Sequence, residues 1–389
     1  MAEQHGRASL GELAGLFLKL GTIGFGGPAA HIAMMEEETV TRRGWISRDQ
    51  FLDLVGVTNL IPGPNSTEMA IHLGFLRAGF LGLVVAGICF VVPAVLITTL
   101  LAWVYFHYGA LPLVAPFLFG IKPTVLAVIL GAIWRLGQRA IKGWRLGFIG
   151  IAVALVSLTE FNSVLILLGG GVMGMFWLRV ADKYDSSGGV AASLAGPGVF
   201  MALSPPAASS LGVSLWALGA FFLKVGSVLY GSGYVLVAFL EEGLVHEHGW
   251  LTQQQLLEAI AIGQFTPGPV LSTAAFIGFL VTKGSFLGAG VAAGAIFLPS
   301  FVFVAILNPV LPRLRESSWM SAFLDAVNVC AVGLMAGVTV KLSYQMLESW
   351  PAMGIAGVAA VLGLWRNVSA VWLVLGGAFV GGIWILLGG

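Results

Sequence analysis

Lys19 and Lys224 stand 205 residues apart, each inside an apolar run: Phe17-Leu18-Lys19-Leu20-Gly21 and Phe222-Leu223-Lys224-Val225-Gly226. A lysine at the centre of a membrane helix costs about 2.5–3.5 kcal/mol on insertion scales unless a counter-charge or a bound anion offsets it. Two lysines in equivalent settings offer a dianion a matched pair of cations. Snorkelling to an interface is the alternative for each, because both lie close to a helix start. Lys122, at the beginning of a later apolar segment, is open to both readings.

The second chemical feature is Ile61-Pro62-Gly63-Pro64-Asn65-Ser66-Thr67, which recurs as Phe265-Thr266-Pro267-Gly268-Pro269-Val270. Pro-Gly-Pro ends one helix and starts another, leaving backbone groups unpaired. Irregular backbone within apolar flanks is tolerated where protein buries it or where it lines a cavity. The reading is therefore either a functional site or a paired structural kink. A helix starting at Asn65-Ser66-Thr67 would point free amides and a positive dipole end at the break, which favours anions, although Asn65 and Ser66 also suit simple capping. Glu68 follows in the first turn, where it could complement the dipole, pair with Lys19 or carry a coupling proton. His31 and His72 titrate in the range needed for proton coupling, though histidines on apolar helices are commonly just packed. Gly21, Gly24, Gly26 and Gly27, with Gly226, Gly231 and Gly233, permit close backbone approach by a ligand or by a neighbouring helix.

The elements that must position these groups follow from the apolar pattern. Residues 10–35 read as a first membrane helix, followed by an amphipathic connection from Glu36 to Trp45. Ser47-Arg48-Asp49-Gln50 is a capping-box start, and Thr252-Gln253-Gln254-Gln255 repeats it. The helix it opens runs to about Leu60 and the next from Asn65 to about Arg77, each too short for a bilayer that needs about 20 residues. The pair reads as a re-entrant hairpin with Pro-Gly-Pro at its tip. Apolar segments at 79–106, 118–140, 145–159 and 163–180 complete the half.

The pattern then restarts. Residues 17–64 align with 222–269 without a gap, and 16 of the 48 positions are identical. The expected domains are 1–180 and 211–389, joined by a Ser-, Gly-, Ala- and Pro-rich linker over 181–210. With five crossings per half plus one hairpin, the second half is upside down relative to the first. Placing both termini outside puts thirteen of the 19 basic residues in the cytoplasm and only Arg7, Lys283 and Lys341 outside. The expected fold is an all-α polytopic membrane protein built as an inverted-topology repeat, an architecture of transporters.

Composition agrees. Apolar residues make up 58% and charged ones 10%, against about 25% charge in soluble domains. A net charge of +1 excludes a general nucleic-acid binder. Cys89 and Cys330 lack metal spacing, and Met1 to Leu10 lacks a signal peptide's layout. His246-Glu247-His248, in an expected external loop, has the wrong spacing for a zinc protease. No nucleophile, metal set or cofactor motif is identifiable, so an enzyme is not expected.

These segments together resemble the chromate ion transporter family in its long form with two homologous domains. The resemblance rests on Phe17-Leu18-Lys19-Leu20-Gly21, Gly24-Phe25-Gly26-Gly27-Pro28, Gly44-Trp45 and Pro62-Gly63-Pro64-Asn65. Lys224, Gly249-Trp250 and Pro267-Gly268-Pro269 are similar copies in the second half, where Ser232-Gly233 replaces Gly27-Pro28 and Val270 replaces Asn65. The resemblance implies a secondary transporter in the bacterial inner membrane that exports chromate from the cytoplasm and confers resistance. Chromate is a tetrahedral dianion isosteric with sulfate, so sulfate is an expected competitor. A sulfate or other oxyanion transporter and an anion channel are the alternative readings, and a homodimer is compatible with either. The expected substrate-binding set is Lys19, Lys224, Gly26, Gly27, Pro62, Gly63, Pro64, Asn65, Ser66, Thr67, Thr266, Pro267, Gly268 and Pro269, with Glu68, His31 and His72 as coupling candidates. An inside-negative potential favours anion exit by about 2.3 kcal/mol per charge per 100 mV, so the potential, protons or both could drive export.

Overall fold

The computed structural model describes residues 9–109, 115–159, 161–185, 213–230, 233, 235–307, 317–346, 349–366 and 368–387. All regular elements among the described residues are helical, the only open structure that satisfies its own backbone in lipid. The first half comprises α1 (Leu10–Ile23), α2 (Pro28–Glu36), α3 (Arg48–Thr58), α4 (Asn65–Tyr108), α5 (Ala115–Ala140), α6 (Trp144–Val156) and α7 (Ser163–Asp185). The second comprises α8 (Leu215–Val228), α9 (Leu236–Leu240), α10 (Gln253–Phe265), α11 (Thr273–Val281), α12 (Phe286–Leu307), α13 (Ser318–Met346), α14 (Trp350–Trp365) and α15 (Ala370–Leu386). Among the described residues, five helices are long and apolar enough to cross a membrane: Asn65–Tyr108, Phe119–Ala140, Ser163–Val180, Phe286–Ile306 and Ser318–Tyr344.

The first segment differs from the single helix expected over 10–35. Ser9 Oγ caps α1, which stops at Gly24. Gly26 (φ +103°) and Gly27 (φ +78°) then occupy backbone regions that close to glycine's freedom alone, and Pro28 opens α2 at the position where its missing N–H matters least. A π-helical turn, Glu37–Arg42, follows α2. The second half repeats the break between α8 and α9, with Leu229 extended, and a π-turn at Glu241–Glu247. His246 and Glu247 therefore belong to a helical turn rather than to the expected loop.

Both hairpins form where the prolines and capping boxes put them. Ser47–Gln50 and Thr252–Gln255 make reciprocal capping boxes at the starts of α3 and α10. α3 has 11 residues and α10 has 13, so each spans about 17–20 Å at 1.5 Å per residue, well under a hydrocarbon core. The helix after the first tip breaks at Ala78 and Gly79, inside α4, and the long outgoing span begins there. Its counterpart in the second half is the separation of α11 from α12. Residues Ser66 to Gly74 and Thr273 to Phe279 are buried without interruption, so the outgoing arm of each hairpin runs through the interior.

Glycine sets the closest helix contacts. A Cβ on Gly21 would lie 2.4 Å from the Phe90 carbonyl oxygen, and one on Gly226 would lie 2.2 Å from that of Ile296. The glycine thus lets α1 lie directly on α4, and α8 on α12. The outer helices are exchanged between halves: α5 packs against α14 and α15, α13 packs against α6 and α7, and α5 meets α13. α7 continues through Asp185, so residues 181–185 of the expected linker are helical. Its remainder, 186–210, lies outside the described residues.

Candidate functional site

The two Pro-Gly-Pro tips are tied to the opposite half by backbone. Gly63 N–H donates to the Leu229 carbonyl at 2.7 Å, and Gly268 N–H donates to the Gly24 carbonyl at 2.7 Å. Gly24 and Leu229 occupy corresponding positions of the duplication, as do Gly63 and Gly268. Each break in a first helix therefore receives the hairpin tip of the other half, which answers where the freed backbone groups go. His31 reinforces one of these junctions: its Nε2–H donates to the same Gly24 carbonyl at 2.9 Å, and its ring stands edge-on to Phe90.

The helix starts behind the tips are not capped by side chains. Pro64 is the residue before α4, and the Thr67 and Glu68 amides return to its carbonyl at 2.8 and 3.1 Å. Asn65 instead donates Nδ2 to Asn59 Oδ1 at 2.6 Å.

The two tips differ in polarity. Beside Gly63, a Cβ would fall 2.3 Å from Glu68 Oε1 and 2.4 Å from Ser300 Oγ, so carboxyl and hydroxyl flank one small space. Neither Glu68 oxygen, nor Ser300 Oγ, nor Thr67 Oγ1 has a hydrogen-bond partner among the described residues, and all three side chains are buried. His72, one turn beyond Glu68, is buried with Nε2 likewise unpartnered. Beside Gly268 the neighbour is Ala94, and the nearby hydroxyls are satisfied: Thr98 donates to Ser272 Oγ at 3.1 Å, and Thr273 donates to the Val270 carbonyl at 2.7 Å. Thr266 donates to the Ile262 carbonyl at 2.9 Å.

The two lysines lie elsewhere. Lys19 Nζ bonds Glu38 Oε1 at 2.7 Å rather than the anticipated partner Glu68, and its side chain is 49% exposed. It lines a cleft of about 340 Å³ with Leu20, Ile23, Ala33, Met34, Glu37, Glu38 and Arg42. The Lys19 hydrogen bond, reinforced by Arg43 and Arg42 and outweighing burial, holds the Glu38 carboxyl below its usual range. Lys224 lines a smaller cleft with Glu242, Glu247 and Asn162, and here burial pushes the Glu242 carboxyl up despite its bond from the Ser163 amide at 2.6 Å. Arg42 and Glu247 occupy corresponding positions, so the first cleft sets two cations, Lys19 and Arg42, against Glu37 and Glu38, while the second sets Lys224 alone against Glu242 and Glu247. None of the Pro-Gly-Pro residues lines either cleft. Gly26 and Gly27 form the left-handed corner between α1 and α2, and Lys122 is half-buried in α5 beside Pro123.

Three participants were not legible beforehand. Ser300 follows Pro299, the counterpart of Pro93, and only the alignment of Ala94 with Ser300 hinted at a polar position. Tyr230, opposite Phe25 in the duplication, lies close enough to Glu68 to interact electrostatically with it. Glu258 of α10 is buried and accepts from the Tyr105 hydroxyl of α4, and from Gln254 Nε2 at 3.0 Å.

The sequence matches the family described as chromate transporter over residues 11–175 and again over 216–382, one match for each half. The chain belongs to the chromate transporter family. A probable chromate transport protein of Synechococcus elongatus is 33% identical over 367 residues, covering 93% of this chain and 91% of the relative. The chromate transport protein of Cupriavidus metallidurans is 32% identical over 383 residues, covering 96% and 92%. That of Pseudomonas aeruginosa is 31% identical over 391 residues, covering 96% and 92%. No solved structure matches the chain. Family membership accounts for the polytopic helical fold in two repeated halves, and the chain is a membrane protein related to transport proteins.

Proposed function

We propose that this protein is a secondary transporter exporting chromate from the cytoplasm across the inner membrane, and that its activity confers chromate resistance. The observation that carries this reading is the match of both halves to the chromate transporter family. The site chemistry supports it. The ammonium of Lys19 has three donors and makes one hydrogen bond among the described residues, which leaves donors directed at the cleft. A volume of about 340 Å³ has room for a five-atom oxyanion together with several waters of about 30 Å³ each. Lys19 and Arg42 would exchange Glu38 for the oxyanion, and Lys224 would act in the second half. Gly26, Gly27, the two Pro-Gly-Pro tips and the amides of Asn65, Ser66 and Thr67 would form the barrier that the anion crosses.

In this reading the halves, 1–180 and 211–389, are related by an axis in the membrane plane, with both termini outside and a cytoplasmic linker. The membrane potential alone supplies roughly 4.6 kcal/mol per 100 mV for a dianion leaving an inside-negative cell, twice the value for one charge. The deciding experiment is uptake of labelled chromate into everted membrane vesicles, with and without an imposed potential and with sulfate as competitor. Uptake that rises with the potential and falls with excess sulfate is expected. Absence of uptake in vesicles holding the protein would refute the reading.

A further inference from the structure

Of the buried carboxyls Glu38, Glu68, Glu241 and Glu258 and the half-buried Glu242, all but one have a donor among the described residues. Glu38 accepts from Lys19, Arg42 and Arg43; Glu241 bonds His246 Nε2 at 2.6 Å; Glu242 accepts from the Ser163 amide; Glu258 accepts from Tyr105 and Gln254. Glu68 is fully buried, and neither of its oxygens is bonded among the described residues. A buried polar group without a partner is unfavourable enough that a stable fold retains few of them, and an ionised one is retained only with a counter-charge.

The surroundings supply hydroxyls and no cation. α11 and α12 carry no titratable side chain. On α1, Lys19 is held by Glu38, and on α2, His31 is held by the Gly24 carbonyl. Of the other elements packed on α4, α3 carries Arg48, which pairs with Glu36, together with Asp49 and Asp53, and α10 carries Glu258, held by Tyr105. Tyr230 and, on the same helix, His72 are the further titratable neighbours. A methyl group on Gly63 would lie within 2.4 Å of both Glu68 Oε1 and Ser300 Oγ, so carboxyl and hydroxyl close tightly over the tip glycine. The ligand that needs no cavity is a proton.

The corresponding position at the other tip is Thr273, its hydroxyl satisfied by the Val270 carbonyl, and the neighbour of Gly268 there is Ala94. At the Gly268 tip the unsatisfied titratable atom among the described residues is His31 Nδ1, whereas the unsatisfied carboxyl, with Ser300 and Thr67, lies at the Gly63 tip. That tip is also the one whose Gly63 amide is bonded to Leu229 of the opposite half, so any change at Glu68 bears directly on the contact between halves.

We propose that Glu68 is the proton-binding residue that couples chromate movement to the proton gradient, with Ser300, Thr67 and Tyr230 as its polar surround and one proton bound per cycle. Loss of the proton would leave a carboxylate that must reach water, and the hairpin tip carrying it would undock from Leu229 to allow this. The inference rests on the transport reading given above.

The test uses the full chain in liposomes containing a trapped pH-sensitive dye, reading net chromate flux, chromate–chromate exchange and proton movement together. For the wild type, chromate addition should start a proton flux. Glu68→Gln should keep exchange within about threefold of wild type while the proton signal falls at least tenfold. Glu68→Asp, which withdraws the carboxyl by one methylene, should keep the proton signal with a shifted pH midpoint. Wild-type chromate flux without proton movement, an undiminished proton signal in Glu68→Gln, or an unchanged pH profile in Glu68→Asp would each overturn the assignment while leaving the transport reading intact. A wild type that moves no chromate in either mode would overturn both.

Discussion

Gly268 donates its amide proton to the carbonyl of Gly24 at 2.7 Å, and the same bond runs between Gly63 and Leu229 with the halves exchanged. Reciprocity of this kind is what a two-fold relation between the halves produces. It joins two irregular backbone segments that would each be untenable in an apolar interior. Neither half can satisfy its own break, so each supplies the other's missing partner.

The tips should therefore tolerate very little. Gly63→Ala places a methyl against Glu68 and Ser300 at φ +146°, and Gly268→Ala places one 2.8 Å from Ala94 Cβ at φ +88°. Backbone strain of this class is worth about 1–3 kcal/mol per residue, before any displacement of neighbours. Both variants should melt at lower temperature in detergent and transport poorly. Ser300→Gly should recover part of the loss in Gly63→Ala and none of that in Gly268→Ala.

Lys19→Gln should weaken chromate binding at least tenfold without loss of protein from the membrane, because Glu38 retains Arg42 and Arg43 as partners. Lys19→Arg should rescue incompletely, since a planar guanidinium needs more room than an ammonium. Lys224→Gln should have the smaller effect, its cleft being lined by Glu242 and Glu247. Equilibrium binding on purified protein decides, and wild-type affinity in both Gln variants would remove the lysines from the site.

The two clefts should respond oppositely to acid. Glu38 is held below its ordinary 4.5, so its contribution to stability is complete above that value and is lost as the pH falls through the depressed one. Glu242 is pushed above 4.5, so the folded protein holds that proton more tightly than the unfolded chain, and stability falls as the pH rises through the raised value. Thermal melts between about pH 3 and 8 should show Glu38→Gln flattening the acid limb. Glu242→Gln should flatten the decline toward neutral pH.

For topology, single cysteines at Ser9 and Ser193 in a background lacking Cys89 and Cys330 should label from outside and inside respectively. The thirteen-to-three asymmetry of basic residues motivates this assignment. Impermeant labelling of Ser193 but not Ser9 in intact cells would rule out the proposed orientation.

Local chemistry made much of this fold readable. The capping boxes, both Pro-Gly-Pro tips and the restart at Gly79 are where Ser, Thr, Gln, Pro and Gly put them, because each acts within a few residues of chain. What was not legible is what crosses between segments. Lys19 looked like a partner for the tips, yet Leu13, Leu16, Phe17 and Leu20 form the buried face of α1, and Lys19 lies off that face toward Glu38. The same spacing holds for Leu218, Phe221, Phe222 and Val225 around Lys224. That periodicity was present in the sequence, and the equivalence of the two lysines drew the reading away from it. Ser300 and Tyr230 had no local signal, because their significance comes from Glu68 across the boundary between halves.

The exchange of outer helices has a consequence for how the molecule is made. α6 and α7 leave the ribosome with their partner α13 still unsynthesised, and α5 must wait for α14 and α15. At about 5–20 residues per second, the stretch from Asp185 to Ser318 imposes a delay on the order of ten seconds. During that interval the early helices present glycine-lined grooves, at Gly170, Gly171 and Gly174, whose eventual occupants Cys330, Val327 and Ala326 do not yet exist. Completion of the first half therefore depends on the last fifth of the chain. A truncation that removes α13 to α15 would deprive helices encoded hundreds of nucleotides upstream of their packing partners.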